Sequence, residues 1–237
     1  MNENQNFLFK KYTNNKITNN NKSFLSSVCT NRYNLHKFAA GTLNNSNYQI
    51  LIEVPEENSL NDWLAVNTVE FYNRLNLFYG ALRSNCTNES CPIMKGGPNI
   101  EYYWKRKKKT IPPDYIENVM VLIEKILDNP KVFPPDESVK FPKNFKRVTK
   151  EIFTKLYRIF AHIYVCHFQD IENIGAVSHL NTTYKHFYFF SRKFKLIKKR
   201  EYEPLKFLNI KFEIQEEKKE KERQKQLQEN NSQNKNN

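Results

Sequence analysis

The chain has 237 residues, enough for one sizeable core or two small ones, and a formal charge of +13 from Lys+Arg 38 against Asp+Glu 25. Its 18 Phe and 13 Tyr promise an aromatic-rich core, while only 5 Gly argues against a turn-dense all-β fold and against a Gly-rich phosphate loop. No apolar run approaches the ~20 residues of a membrane-spanning helix, the Asn-rich N-terminus lacks the apolar core of a secretion signal, and Cys 4 in such a chain points to a reducing compartment where thiols meet metals rather than each other.

Residues 1–49 mix Asn, Lys, Ser and Thr with no lasting period and read as a flexible arm, in which Ser23 and Thr42 are open to modifying enzymes. Residues 50–55 read as extended up to Pro55. Ser59 then caps a helix, with Asp62 three positions on, and Leu60, Trp63, Leu64, Val66, Val69, Tyr72, Leu75, Tyr79 and Leu82 follow at helical spacing to about Arg83. Residues 51–70 carry Glu53, Glu56, Glu57, Asp62 and Glu70 without a Lys or Arg, whereas 143–158 and 192–200 are strongly basic. A chain polarised this way can meet a basic partner on one patch and an acidic or phosphorylated one on another; taken singly, each run also fits an ordinary solvated face.

Cys86 to Pro98 reads as loop, and Ile100 to Trp104 as a strand whose exposed turn is Lys105–Lys109 and whose return strand lies about Thr110. A helix is expected over Asp114–Asp128, halted by Asn129-Pro130, and another begins at Asn144, with Phe145, Val148, Ile152, Leu156, Ile159, Phe160 and Ile163 as its apolar stripe. Helix continues over 171–180, weakened at Gly175; Asn181 or Thr182 caps the next, and a last short helix spans Glu203–Phe212. From there the composition turns to Glu, Lys, Gln and Asn, so 213–237 reads as a charged tail, solvated helix or disordered, outside a domain of residues 50–212. The expected class is all-α: a helical bundle with a four-helix core and one small β-hairpin.

Cys86 and Cys91, with His162 and His167, have the paired short spacings of a structural zinc site. A five-residue step turns about 140° on a regular helix, so His162 and His167 meet one ion only if the helix ends, widens or bends between them. Cys166 faces His162 better and competes with His167 as fourth ligand. Two buried histidines and two reduced core cysteines satisfy the same spacing.

The stretches LNDWLAVNTVEFYNRLNLFYG (60–80), Cys86-TNES-Cys91-Pro92, GPNIEYYW (97–104), FPKNF (141–145), YRIFAHIYVCHF (157–168) and HLNTTYKHFYFF (179–190) together resemble the Mob family of kinase co-activators over about residues 40–210. The resemblance implies a Mob-type bundle with one structural zinc ion on Cys86, Cys91, His162 and His167. It implies an adaptor, not an enzyme, that binds and activates NDR/LATS-type kinases of the AGC group in mitotic exit, cytokinesis or Hippo-type signalling. It places a basic N-terminal extension of the kinase on Asp62, Trp63, Val66 and Glu70, with Glu56 and Glu57 as acidic support; opposite charge would steer and a buried aromatic anchor would hold. It also implies a pocket for phosphorylated Ser/Thr of a Hippo-type kinase or scaffold at Thr154, Lys155 and Arg158. There Thr154 loses one cation, and Lys155 replaces an Arg fork with a point charge. Thr42 matches a phosphorylated family threonine and Ser23 a second such site, whose charge would rearrange the arm. The family setting is the cytoplasm, with the nucleus and spindle poles, and involves neither membrane nor nucleic acid.

Two rival readings follow from the residues. A zinc hydrolase needs an open coordination position and a His-Glu-x-x-His pair, and the chain has neither. A zinc-stabilised nucleic-acid-binding or scaffold module draws on the +13 charge and on Lys105–Lys109 beside Tyr102, Tyr103 and Trp104.

Overall fold

The computed structural model describes residues 48–56, 58–97, 99–104 and 111–233. It opens on a single helical turn, α1 (Tyr48–Leu51), where the sequence reads as extended; Leu51 is buried, and the Tyr48 ring lies 5.0 Å below the Lys185 ammonium. Ser59 has extended dihedrals, and its hydroxyl accepts from the Asp62 N–H at 3.1 Å, satisfying one first-turn donor. From there α2 runs Leu60–Leu82. Every residue from Trp63 to Val69 is buried, so α2 is covered on all sides over its first half and is the axis of the bundle.

A hairpin forms, but earlier than expected. Strand β1 (Lys95–Gly97) pairs antiparallel with β2 (Ile100–Glu101), Lys95 opposite Glu101 and Gly97 opposite Ile100. The Lys105–Lys109 turn and Thr110 lie outside the described residues. Gly96 is required there, because a Cβ would fall 2.5 Å from the Tyr102 hydroxyl.

Helix α3 (Pro112–Leu127) starts on a proline pair, whose missing N–H groups cost nothing in a first turn. Helix α4 (Phe145–Cys166) is followed directly by α5 (Phe168–Asn173). Gly175, at φ +67°, turns the chain into α6 (Val177–Lys193), which therefore begins before Asn181 and Thr182 rather than at them. A 3₁₀ segment, Lys199–Leu205, leads into α7 (Lys206–Gln233).

Helices α2, α3, α4 and α6 form the four-helix core. Phe153 stacks on Phe187 at 5.1 Å, and Phe71 meets Phe153, Phe187 and Phe190 edge-on at 5.8, 5.2 and 5.6 Å. Edge-on pairs each add about 0.5–1.5 kcal/mol beyond burial, and truncating such a Phe to Ala costs about 3–5 kcal/mol. Helix α7 crosses the expected 212/213 boundary without a break. Tyr184 donates to Asn209 at 2.7 Å, Tyr188 donates to Glu213 at 2.7 Å, and Lys185 pairs with Glu216 at 2.7 Å with both side chains 8% exposed. The tail's first turns are thus fastened to α6. Among the described residues no helix is long and apolar enough to cross a membrane.

Candidate metal centre and docking surfaces

The clasp is built from two breaks in helix. Beyond α2 the chain turns at once: the Cys86 N–H bonds the Leu82 carbonyl at 2.9 Å, and the Cys91 N–H bonds the Thr87 carbonyl at 2.9 Å. Both thiols are thereby turned inward and buried. On the other side α4 ends at Cys166, and His167 leaves helical geometry at φ −129°, ψ 17°. That departure supplies the rotation a regular helix denies, and the two imidazoles come to 5.1 Å between ring centres.

The four donor atoms of Cys86, Cys91, His162 and His167 lie within 4.8 Å of one another, with Cys86 Sγ 3.6 Å from His162 Nε2 and Cys91 Sγ 3.3 Å from His167 Nε2. Metal–sulfur and metal–nitrogen bonds of about 2.3 and 2.05 Å in a tetrahedron separate S from N by about 3.6 Å, so this cluster fits one ion. The second ring nitrogens support the fit. His162 Nδ1 lies 3.0 Å from the Lys95 carbonyl, and a carbonyl only accepts, so the proton sits on Nδ1 and the Nε2 lone pair faces the thiols. His167 Nδ1 lies 2.8 Å from Asp170 Oδ2, and Asp170 also accepts from Asn85 Nδ2 at 2.7 Å. These contacts to His167 and Asn85 hold the Asp170 carboxyl below its usual range.

Electrostatics point the same way. Burial, then the Cys91 thiol beside it, pushes the Cys86 thiol up to about 12, and burial pulls His162 down to about 4. Neutral imidazoles are ready ligands, whereas paired thiolates in this pocket need a cation to be tolerated. Thiolate and imidazole donors together suit zinc, and four protein donors leave no tetrahedral position for a reacting water. Cys166 is exposed on the last turn of α4 and is not among the four converging donors.

On α4, Lys155 and Arg158 share one face. The Lys155 ammonium lies 4.6 Å over the Trp104 ring, and burial, then Arg158, lowers its pKa. The Arg158 guanidinium lies 5.1 Å over Tyr102 and donates to Glu201 at 3.1 Å. The Thr154 hydroxyl donates back to the Lys150 carbonyl at 2.8 Å. Tyr102, Trp104 and Glu201 were not legible as members of this site, since none is near it in sequence.

At the start of α2 the residues separate. Glu56 is exposed, Asp62 is half-buried and accepts from Ser59, and Glu57 lies outside the described residues. Glu70 is tied to Arg74 at 2.6 Å. Trp63 is fully buried, its ring 6.2 Å from Phe190, and Val66 is buried as well. Their contacts are with the core, so a partner reaches them only by repacking it. Thr42 and Ser23 lie outside the described residues.

Residues 40–205 match the model of the Mob1/phocein family. The chain is 44% identical to "MOB kinase activator-like 1 homolog B" of Dictyostelium discoideum, covering 74% of this chain and 84% of that one. It is 44% identical to "MOB kinase activator 3A" of Bos taurus over 75% and 85%, and 41% identical to "Maintenance of ploidy protein mob1" of Schizosaccharomyces pombe over 74% and 87%. By match, extent and fold, the chain belongs to the Mob1/phocein family.

Proposed function

We propose that this protein is a non-catalytic kinase co-activator whose partners are NDR/LATS-type AGC kinases acting in mitotic exit, cytokinesis or Hippo-type signalling. The observation that carries the reading is the family match across residues 40–205, joined to relatives whose names describe kinase activation. The buried cluster holds one structural zinc ion on Cys86, Cys91, His162 and His167, pinning the loop after α2 to the end of α4. With four protein donors around it, such an ion serves rigidity rather than turnover.

The basic N-terminal extension of the kinase is received by the acidic start of α2, with Glu56, Glu57 and Asp62 steering and Glu70 held by Arg74 at its far side. Trp63 and Val66 support that face from beneath. Lys155 and Arg158 bind a phosphorylated Hippo-type kinase or scaffold peptide, Thr154 lining the edge without charge. Phosphorylation of Thr42 and Ser23 adjusts access to the kinase face, and the protein works in the cytoplasm, nucleus and at spindle poles.

The test uses a purified NDR/LATS-type kinase and its basic extension. Glu56→Lys with Asp62→Lys should weaken binding about tenfold or more at low salt and abolish activation; equal affinity would overturn the assigned face. Lys155→Glu with Arg158→Glu should remove phosphopeptide binding and spare kinase binding. Equal binding of phosphorylated and plain peptide by the starting protein would remove that part of the reading.

A further inference from the structure

Helix α7 presents two faces. On one, Asn209, Phe212 and Glu216 are buried, with Asn209 and Glu216 fastened to Tyr184 and Lys185 of α6. At about 100° per residue, the opposite side carries Phe207, Ile210 and Ile214 over a length of about 10 Å. Lys211 stands among these three, and the same line continues as Lys218, Lys221 and Lys225, all exposed. Phe207 keeps 81% of its surface in water, Ile214 60% and Ile210 41%. Apolar residues scattered singly over a surface are ordinary, but three in register on a helix whose back is fixed make a patch. A tail helix needs one apolar side to dock, and this one has two.

Charge is sorted around the patch. Glu213 is engaged by Arg192 and Glu216 by Lys185, each at 2.7 Å, and Glu217 falls off the line of lysines. Glu222 and Glu229 lie at its outer edge, 3.9 and 3.8 Å from Lys218 and Lys225, as loose exposed pairs. Among the described residues no acid pairs with Lys195, Lys198, Lys199, Lys211 or Lys221. Lys199 heads the 3₁₀ segment that runs into α7, about 14 Å from its start at about 2 Å per residue.

We propose that this face of α7 lays the protein on an anionic lipid bilayer. Phe207, Ile210 and Ile214 enter the boundary between headgroups and acyl chains, and the lysines meet headgroup phosphates, their flexible stems reaching along the surface. The shape of the patch selects this occupant. It is two turns long and stands on one convex helix, so a partner helix laid along it would bury three side chains and then run against the lysine row, well short of a stable protein interface. A bilayer surrounds each projecting side chain and offers many anions at once. The inference departs from the expectation, drawn from the family resemblance, of no membrane partner.

The test is co-sedimentation of the full chain with vesicles of phosphatidylcholine alone and of phosphatidylcholine and phosphatidylserine in equal parts. The serine-lipid vesicles should bind at least about tenfold more tightly, and less tightly as salt rises. Phe207→Ser with Ile214→Ser keeps every charge and should weaken that binding about tenfold. Lys211→Glu with Lys221→Glu should remove the preference for the anionic lipid. All four side chains are exposed, so the circular dichroism melt of both variants and their binding of the kinase extension should be unchanged. Equal binding to the two vesicle types, or full binding by the Phe207→Ser and Ile214→Ser variant, overturns the proposal; the latter would leave only adsorption through the overall charge. So does an acidic amphipathic Glu/Leu peptide that the full chain binds more tightly than it binds the vesicles and that the same variant loses, which would give the face to a protein partner.

Discussion

Helix α4 carries two polar clusters that contrast. At its C-terminal end His162 and His167 are buried, with one ring nitrogen fixed by Lys95 or Asp170 and the other aimed at a thiol. Four residues before His162, Arg158 is already engaged by Tyr102 and Glu201, and Lys155 covers Trp104. The first cluster is pre-set for a ligand that is small, cationic and shared. The second must exchange partners before it can grip an anion. In the proposed reading, pre-organisation separates a site that would hold the fold together from one that would respond to a binding partner.

The largest break in that contrast comes from the metal end. Cys86→Ser should lose the ion and lower the melting temperature by about 10 °C, several kcal/mol on a domain of this size. A melting temperature that survives complete metal loss would reduce the cluster to ordinary core. Next comes the outer contact: Asp170→Ala leaves all four donors but frees His167 Nδ1, and should weaken metal affinity about 10–100-fold in a competition titration with a chelator. Unchanged affinity would show that His167 needs no orientation.

A third histidine supplies the control. His186 is buried among Phe71 and Phe190, its Nε2 has no hydrogen-bond partner, and burial, then Arg74, holds its pKa at about 3. Its folded value is below the unfolded one, so the unfolded chain takes the proton first. Stability is full above the unfolded value of about 6.5 and falls as pH drops from there toward 3, by at most about 1.4 kcal/mol per pH unit from this group. His186→Phe should flatten that acid limb in denaturant titrations at a series of pH values. A limb of unchanged steepness would mean that the buried imidazole is not what acid attacks.

The smallest effect sits at the cation cluster. Arg158 and Glu201 keep 26% and 20% of their side-chain surface, so the pair is worth about 1 kcal/mol or less to stability. Glu201→Gln should leave the melt nearly unchanged and raise phosphopeptide affinity a few-fold by freeing the guanidinium fork. A drop in affinity would mean that Glu201 positions Arg158 rather than competes for it.

These differences explain what could be read in advance. The span Leu60–Leu82 was written in its cap and apolar period, and the cluster of four converging donors in paired spacings and a family resemblance. Strand β1 was read as loop because Lys95-Gly96-Gly97 has no side-chain alternation; α4 packing and the bond from the Tyr102 N–H to the Met94 carbonyl, at 2.8 Å, hold it. Trp63 fits an outward anchor as well as an inward one until α2 is seen buried on every side. Glu201 stands 43 residues from Arg158, and only the 3₁₀ segment after α6 brings them together.

The most direct measurement is native mass spectrometry of the full chain with elemental analysis of the same material. One zinc per chain, absent from Cys86→Ser, with Cys86 and Cys91 shielded from thiol reagents until a chelator is added, is the predicted result. Pure folded protein with no transition metal and both thiols freely reactive would contradict the clasp and the rigid docking faces derived from it.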